Sequence, residues 1–126
     1  MITLVSTAQK LQVVLAGSSS STGAQINASF YDENQEGVDT KQGSKQTVSN
    51  NTTDVDIVAA PAQNFVRNVE YISIYNADTI TATVTVKIDD GGTETIIIKA
   101  ALATLESMHY DNQGGWYALT AAGARK

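Results

Sequence analysis

Cysteine is absent from the 126-residue chain. Structural disulfides, thiolate zinc sites, iron–sulfur ligation and cysteine nucleophiles are therefore excluded. Histidine occurs once, as His109, so any Ser-His-Asp machinery would have to use it. Charged residues make up 17% of the chain, below the usual ~25%. Ser, Thr, Asn and Gln fill the gap, and a surface wetted by hydroxyls and amides suits a small β protein, because Thr is at home in strands. The charge that is present is acidic, with formal net charge −5 and pI about 4.6. Duplex nucleic acid is not an expected partner, since that affinity comes from cationic neutralisation of phosphates. No apolar run approaches ~18 residues, so no membrane span is expected either. The first residues, Met1-Ile2-Thr3-Leu4-Val5-Ser6, carry no basic region ahead of an apolar one. No secretory leader is expected, and the simplest compartment is the cytoplasm of the producing cell, or a particle assembled there.

The apolar period is 2 almost everywhere. In Ile80 to Asp89, Ile80, Ala82, Val84, Val86 and Ile88 alternate with Thr81, Thr83, Thr85, Lys87 and Asp89, the pattern of a half-buried antiparallel strand. Asp90-Gly91-Gly92 is a turn signal, and Thr93 to Ala100 reads as the returning strand. Residues directly opposite share a face, so core must meet core. A three-residue loop, Asp90 to Gly92, satisfies this by placing Val86 opposite Ile96, and it sends Ile97 outward. Further strands are expected at Leu11 to Ala16, Ala24 to Phe30, Asp54 to Ala59 (ending before Pro61, the one proline), Val69 to Tyr75, Leu105 to Tyr110 and Gly115 to Leu119, with Ile2 to Val5 as another. In Val69 to Tyr75, Ile72 and Ile74 take one face, and Val69, Tyr71 and Tyr75 the other. Ala100 to Glu106 is too short for an isolated helix and reads as a strand end plus a turn. The expected fold is all-β, a single antiparallel β-sandwich, jelly-roll-like, with roughly eight or nine strands in one domain over 1–126.

Two stretches read as loops. Gly17 to Gly23, rich in serine, should be exposed and mobile. Asp32 to Asn51 is polar, with Val38 and Val48 as its only sizeable apolar residues. It reads as a long loop or arm, 32–51. Burying it against its own domain would return little hydrophobic free energy, while ordering costs ~1–2 kcal/mol per residue. The expectation is an assembly arm that orders against a partner. Its charges, Asp32, Glu33, Glu36 and Asp39 early and Lys41 and Lys45 later, are the groups it would offer.

No constellation points to catalysis. Ser107 and His109 share a strand face at a spacing of about 7 Å, too far for a nucleophile–base hydrogen bond. No Gly-x-Ser-x-Gly elbow, Gly-Lys phosphate loop or Gly-x-Gly-x-x-Gly is present. Asp32, Asn34, Glu36 and Gly37 fall at the first, third, fifth and sixth positions of a calcium loop, but Gly43 stands where a bidentate Glu is needed. Asp54 and Asp56, and the turn residues Asp89 and Asp90, read as ordinary outer-face and turn carboxylates. No metal, cofactor or catalytic residue is expected. Of Trp116 and Tyr117 one must face inward, and Trp116 reads as a core anchor. The alternative is an exposed aromatic pair stacking on a sugar.

Beyond these residue-by-residue readings the chain has a longer cadence. It comprises Lys10 to Leu15, Asp56 to Ala62, Arg67-Asn68-Val69, Ile74 to Thr79, Val84 to Thr93, Lys99 to Leu102, Glu106 to Asp111 and Gly115-Trp116-Tyr117. This resembles short all-β structural proteins of tailed bacteriophage virions, most of all capsid decoration, or cement, proteins. The 32–51 tract has no counterpart in it. Leu105 departs from the pattern, which has Gly before the Glu-x-x-x-Tyr strand, so a tight turn is not expected there. The resemblance implies a non-enzymatic virion protein that binds the outer surface of a phage head and stabilises it. It also implies the major capsid protein as partner and self-association as a homotrimer. The alternatives are a tail, neck or fibre-associated phage β module, or a carbohydrate-binding module.

Overall fold

Two antiparallel sheets pack face to face in the computed structural model, which describes residues 1–37 and 40–126. Ten strands lie among those residues: β1 (Ile2–Leu4), β2 (Gln9–Leu15), β3 (Gln25–Asn34), β4 (Thr40–Val48), β5 (Val55–Val58), β6 (Phe65–Tyr75), β7 (Ala82–Asp90), β8 (Thr93–Leu102), β9 (Ser107–Asp111) and β10 (Gly115–Leu119). Sheet A runs β10-β9-β6-β3-β4, with β1 beside the first half of β6, and sheet B runs β5-β2-β7-β8. The hairpins β3–β4, β7–β8 and β9–β10 stay within one sheet; every other connection crosses between sheets. The expected all-β sandwich is therefore what forms. No helix among the described residues is long and apolar enough to cross a membrane.

The core is the inner face of both sheets. Leu11, Val13, Ile57, Val84 and Val86 from sheet B meet Leu4, Ile26, Val69, Ile72, Ile74 and Met108 from sheet A, all buried. At roughly 1.5–3 kcal/mol per fully buried aliphatic side chain, this contact is the main drive for closing the sandwich. Trp116 packs against it from β10, tilted against Tyr110 with ring centroids 5.2 Å apart. It is the anchor the alternation implies.

Several strands depart from strict alternation, and each departure has a local cause. The β7–β8 turn has two residues, not three: Asp90 pairs with Thr93 across Gly91 and Gly92. Both glycines have positive φ, 62° and 103°, which a two-residue turn matched to strand twist requires. Core still meets core, because the register shifts between Val86 and Lys87 and leaves Ile97 as a bulge. Val86 therefore lies opposite Ile98 rather than Ile96, and Ile97 packs against the core instead of facing out. A second bulge at Glu70, between the Ser29–Tyr71 and Phe30–Val69 pairs, turns Val69 into the core with Ile72 and Ile74. Ile80 lies outside β7 and is exposed.

The 32–51 tract is not a loop. Asp32 to Asn34 complete β3, and β4 pairs with β3 residue for residue from Gln25–Val48 to Glu33–Thr40. Val38 and Asp39 lie outside the described residues. Low apolar content made an unsupported arm the expectation, but a ladder of backbone hydrogen bonds needs no apolar side chain. Side chains add to it. The Phe30 ring covers Gly43 so closely that a Cβ there would lie 2.7 Å from a ring carbon. Lys41 sits over Phe65, and Lys45 Nζ donates to the Asp56 carbonyl at 2.8 Å. The serine loop after β2 is exposed as expected, but it is tied down. The amides of Ser20 and Ser21 donate to the Asp78 carboxylate at 2.7 and 2.9 Å, and that of Ser19 to Asn51 Oδ1 at 2.8 Å. These bonds hold the Asp78 carboxyl well below the usual carboxylate range, against burial that opposes them.

At the end of β6 the chain leaves sheet A, and Asn76 takes over. Its side chain is fully buried. Nδ2 donates to the carbonyls of Leu102 and Ile80 at 2.8 and 2.9 Å, and Ala103 O lies 3.2 Å away. Oδ1 accepts from the Asp78 amide at 3.0 Å. Replacing Asn76 by Ala would strand these groups inside the protein, so Asn76→Ala is expected to cost about 3–5 kcal/mol in urea denaturation. A loss below about 1 kcal/mol would contradict the assignment.

The tight turn that Leu105 made unexpected is present. Leu105 has φ +65°, its amide donates to Asn76 O at 2.8 Å, and Glu106 N donates to Ala103 O at 3.0 Å. A branched residue in the left-handed region costs roughly 1–2 kcal/mol, and its side chain is half exposed, with little packing to lose. Leu105→Gly is therefore expected to raise stability by about 1 kcal/mol, net of the flexibility glycine adds to the unfolded chain. A fall in the melting temperature of this variant would contradict it.

Candidate functional site

The solvent face of sheet A carries a row of titratable side chains around the one histidine. On β9, Ser107, His109 and Asp111 point outward, between Tyr71, Ser73 and Tyr75 of β6 and Tyr117 and Leu119 of β10. The cross-strand pairs Ser73–His109 and His109–Tyr117 set His109 at the centre of this row. Its Nδ1 lies 2.8 Å from Tyr71 Oη and its Nε2 2.9 Å from Ser107 Oγ. The Ser107–His109 bond expected to be out of reach is therefore made. Cα atoms two residues apart on a strand are far apart, but both side chains lean along the strand toward each other.

A serine bonded to a histidine, itself bonded to a third group, is the outline of an activated nucleophile. β9 is paired on both sides, to β6 and β10, so its own amides are committed to the ladder. Burial lowers the His109 pKa, which keeps the ring neutral at neutral pH. Burial also raises that of Tyr71, with Tyr117 and Asp111 adding and a bond from Ser73 opposing.

The planar groups stack in sequence. His109 lies on Tyr117 with centroids 5.1 Å apart and planes 16° apart, and the Arg125 guanidinium lies 4.5 Å over the same Tyr117 ring. Arg125 is held there by its bridge to Leu119 and by the Lys126 amide on Ala118 O at 2.9 Å. His109 and Arg125 thus both pack on the Tyr117 ring. A sugar stacks on a free ring face; Trp116 packs against the core, and His109 and Arg125 compete for the Tyr117 ring.

The outer face of sheet B is a lattice of ion pairs. Lys87 is 8% exposed; its Nζ is 2.9 Å from Asp54 and in closer contact with Glu94. Burial pulls its pKa down, but the two carboxylates outweigh this and the net shift is upward. Asp56 takes a bond from Gln12 at 2.8 Å and pairs with Lys10 at 3.5 Å. Asp54 and Asp56 are thus committed to lysines and an amide. Asp32, first in the calcium-like pattern, is spent on Arg67 at 2.7 and 2.9 Å. Among the described residues no three His, Cys, Asp or Glu side chains cluster as a metal site would require.

The most apolar concavity lies where the sandwich opens between β8 and β10, lined by Ile98, Ala100, Met108, Trp116, Tyr117 and Ala118. Its volume is about 150 Å³, half the ~300 Å³ at which ligand pockets begin. Beside it Ile96 is 62% exposed on β8. Sequence reading identified Ile97 as the awkward apolar residue; the bulge transfers that role to Ile96. No family model, curated protein or solved structure matches the chain.

Because His109 is the only histidine, its imidazole signal is unambiguous in NMR. It is expected to titrate with a midpoint below the ordinary ~6.5, and Tyr117→Ala, which uncovers one ring face, should move it upward. With the folded value lowered, the unfolded chain takes up the proton first, so this group costs stability as pH falls below about 6.5. A midpoint at or above 6.5 in the intact protein would contradict the burial argument.

Proposed function

We propose that the protein is a capsid decoration protein of a tailed bacteriophage, a non-enzymatic virion component that binds the outer surface of the head through its major capsid protein and stabilises the shell. The observation that carries this reading is the form of the surface. Two broad sheet faces and an uncovered strand edge offer area for contact, while the apolar concavity is too small for a ligand. Cement proteins work by area and complementarity, and the sequence cadence from Lys10 to Tyr117 supports the same assignment. Where those residues fall in the fold is consistent with it: Asn76 to Thr79 form a sheet-crossing corner, Gly91-Gly92 form the β7–β8 turn, and Gly114 closes the β9–β10 turn ahead of Gly115 in β10. An acidic surface suits a protein that stays off the packaged DNA.

Two measurements test this. Antibodies against the purified chain should label the head surface of virions that carry it. The purified chain should also co-sediment saturably with heads assembled without it and raise their disruption temperature. Label confined to the tail, neck or fibres, or the absence of saturable binding, would overturn the proposal.

A further inference from the structure

The five strand edges among the described residues are not equivalent: β1, paired with β6 alone, has three residues. β5 has four residues, and Lys45 already donates to one of its carbonyls. β10 is covered by the chain's own last residues through Leu119–Arg125 and Lys126 N to Ala118 O. β4 is polar, with Lys41, Lys45 and Gly43 along it, which are residue types that discourage edge pairing. β8 is ten residues long, contains Ile96, Ile97 and Ile98, and pairs only with β7. A long apolar edge is the kind that natural proteins cover.

From this edge we infer that β8 is a self-recognition surface: two copies of the chain pair their β8 strands antiparallel about a two-fold axis, joining two four-stranded B sheets into one. The bulge decides the register. Pairing with β7 puts Glu94, Ile96, Lys99 and Ala101 on the outer face, and Thr95, Ile98 and Ala100 on the inner face with the bulged Ile97. Alternation from the Asp90–Thr93 pair also directs the backbone groups of the four outer residues away from β7, toward a partner. In an unbulged strand a pairing of Ile97 with Ile98 would set inner against outer residues. Here it matches faces along the whole strand: Thr95 opposite Ala100, Ile96 opposite Lys99, Glu94 opposite Ala101. On the inner face Ile97 and Ile98 meet twice across the axis and extend the apolar mouth beside Trp116. On the outer face Glu94 of each copy lies diagonal to Lys99 of the other, so opposite charges meet twice. The surface is therefore complementary to itself, as an isologous interface must be. A two-fold pair differs from the three-fold assembly that the resemblance implies, and it stands apart from shell binding.

The test uses the full chain. Sedimentation equilibrium should give a concentration-dependent dimer mass. Ile96→Pro removes an outward amide without touching a bond to β7 and should raise the dissociation constant at least about tenfold. Its thermal unfolding, followed in parallel, shows whether the fold survives. The native chain has no cysteine, so oxidising a mixture of Thr95→Cys and Ala100→Cys chains reads the register directly, without relying on the proline variant. The expected product is the mixed disulfide dimer, since directly opposite positions lie within disulfide reach. A chain that stays monomeric at its solubility limit, a trimer mass, or a dimer that forms no mixed disulfide would overturn the proposal.

Discussion

The fold turns on the hydrogen bonds of one buried amide. A sandwich must pass its chain between sheets, and each passage breaks a ladder and strands backbone groups in the interior. Here two passages converge, β6 to β7 and β8 to β9, and the Asn76 side chain serves both. Its amide group meets the carbonyls of Ile80 on the outgoing passage and Leu102 on the returning one, while Asn76 N donates to Glu106 O. Asp78 then anchors the serine loop that follows β2. No aliphatic residue could replace this, because the groups to be satisfied are polar and already buried. Removing one partner costs the desolvation of the others. Leu105 tolerates its left-handed backbone for the same reason: its amide is held by Asn76 O, and the corner over-determines the turn.

Away from that corner the sheets are ordinary ladders broken at three places. Ile57 in β5, Glu70 in β6 and Ile97 in β8 are each an extra residue opposite a regular partner. Every bulge lets two neighbouring stretches of one strand keep their apolar residues inward although the sequence changes phase between them. The same bulges bend the strands, which helps a six-stranded and a four-stranded sheet wrap one shared core.

This explains how far the sequence was legible. Period 2 identifies the strands and the sandwich because one face of each is buried, and alternation survives wherever pairing is regular. It fails at Val69 and Ile97, because a bulge shifts phase without any residue that marks it. Parity favours a three-residue loop at Asp90 to Gly92, but a bulge four residues away restores it for the two-residue Gly91-Gly92 turn. β4 was missed because its signal is not apolar at all. It forms on backbone bonds to β3, on Gly43 beneath Phe30 and on lysine contacts, none of which leaves a hydrophobic pattern. The Ser107–His109 contact was misjudged because Cα spacing says nothing of two side chains that lean together. Asn76 was visible in the sequence as part of a motif, but its role as a keystone depends on residues 26 and 27 positions later, a separation no local reading spans.

What the molecule leaves available follows from how it satisfies itself. On sheet A the planar side chains pack on one another, from Tyr71, tilted against His109, through Tyr117 to Arg125. On sheet B the carboxylates are matched to lysines over Gln12. Both faces are thus internally paired surfaces. They can lie against a complementary protein at little cost, since few of their groups would be left newly unsatisfied. The exception is β8. Its outward backbone groups and exposed Ile96 have no partner within the described chain, and its Glu94 and Lys99 sit at the spacing that a reversed copy of the same strand would match. An edge left open among four that are short, polar or covered is the point in this structure where association gains most and costs least.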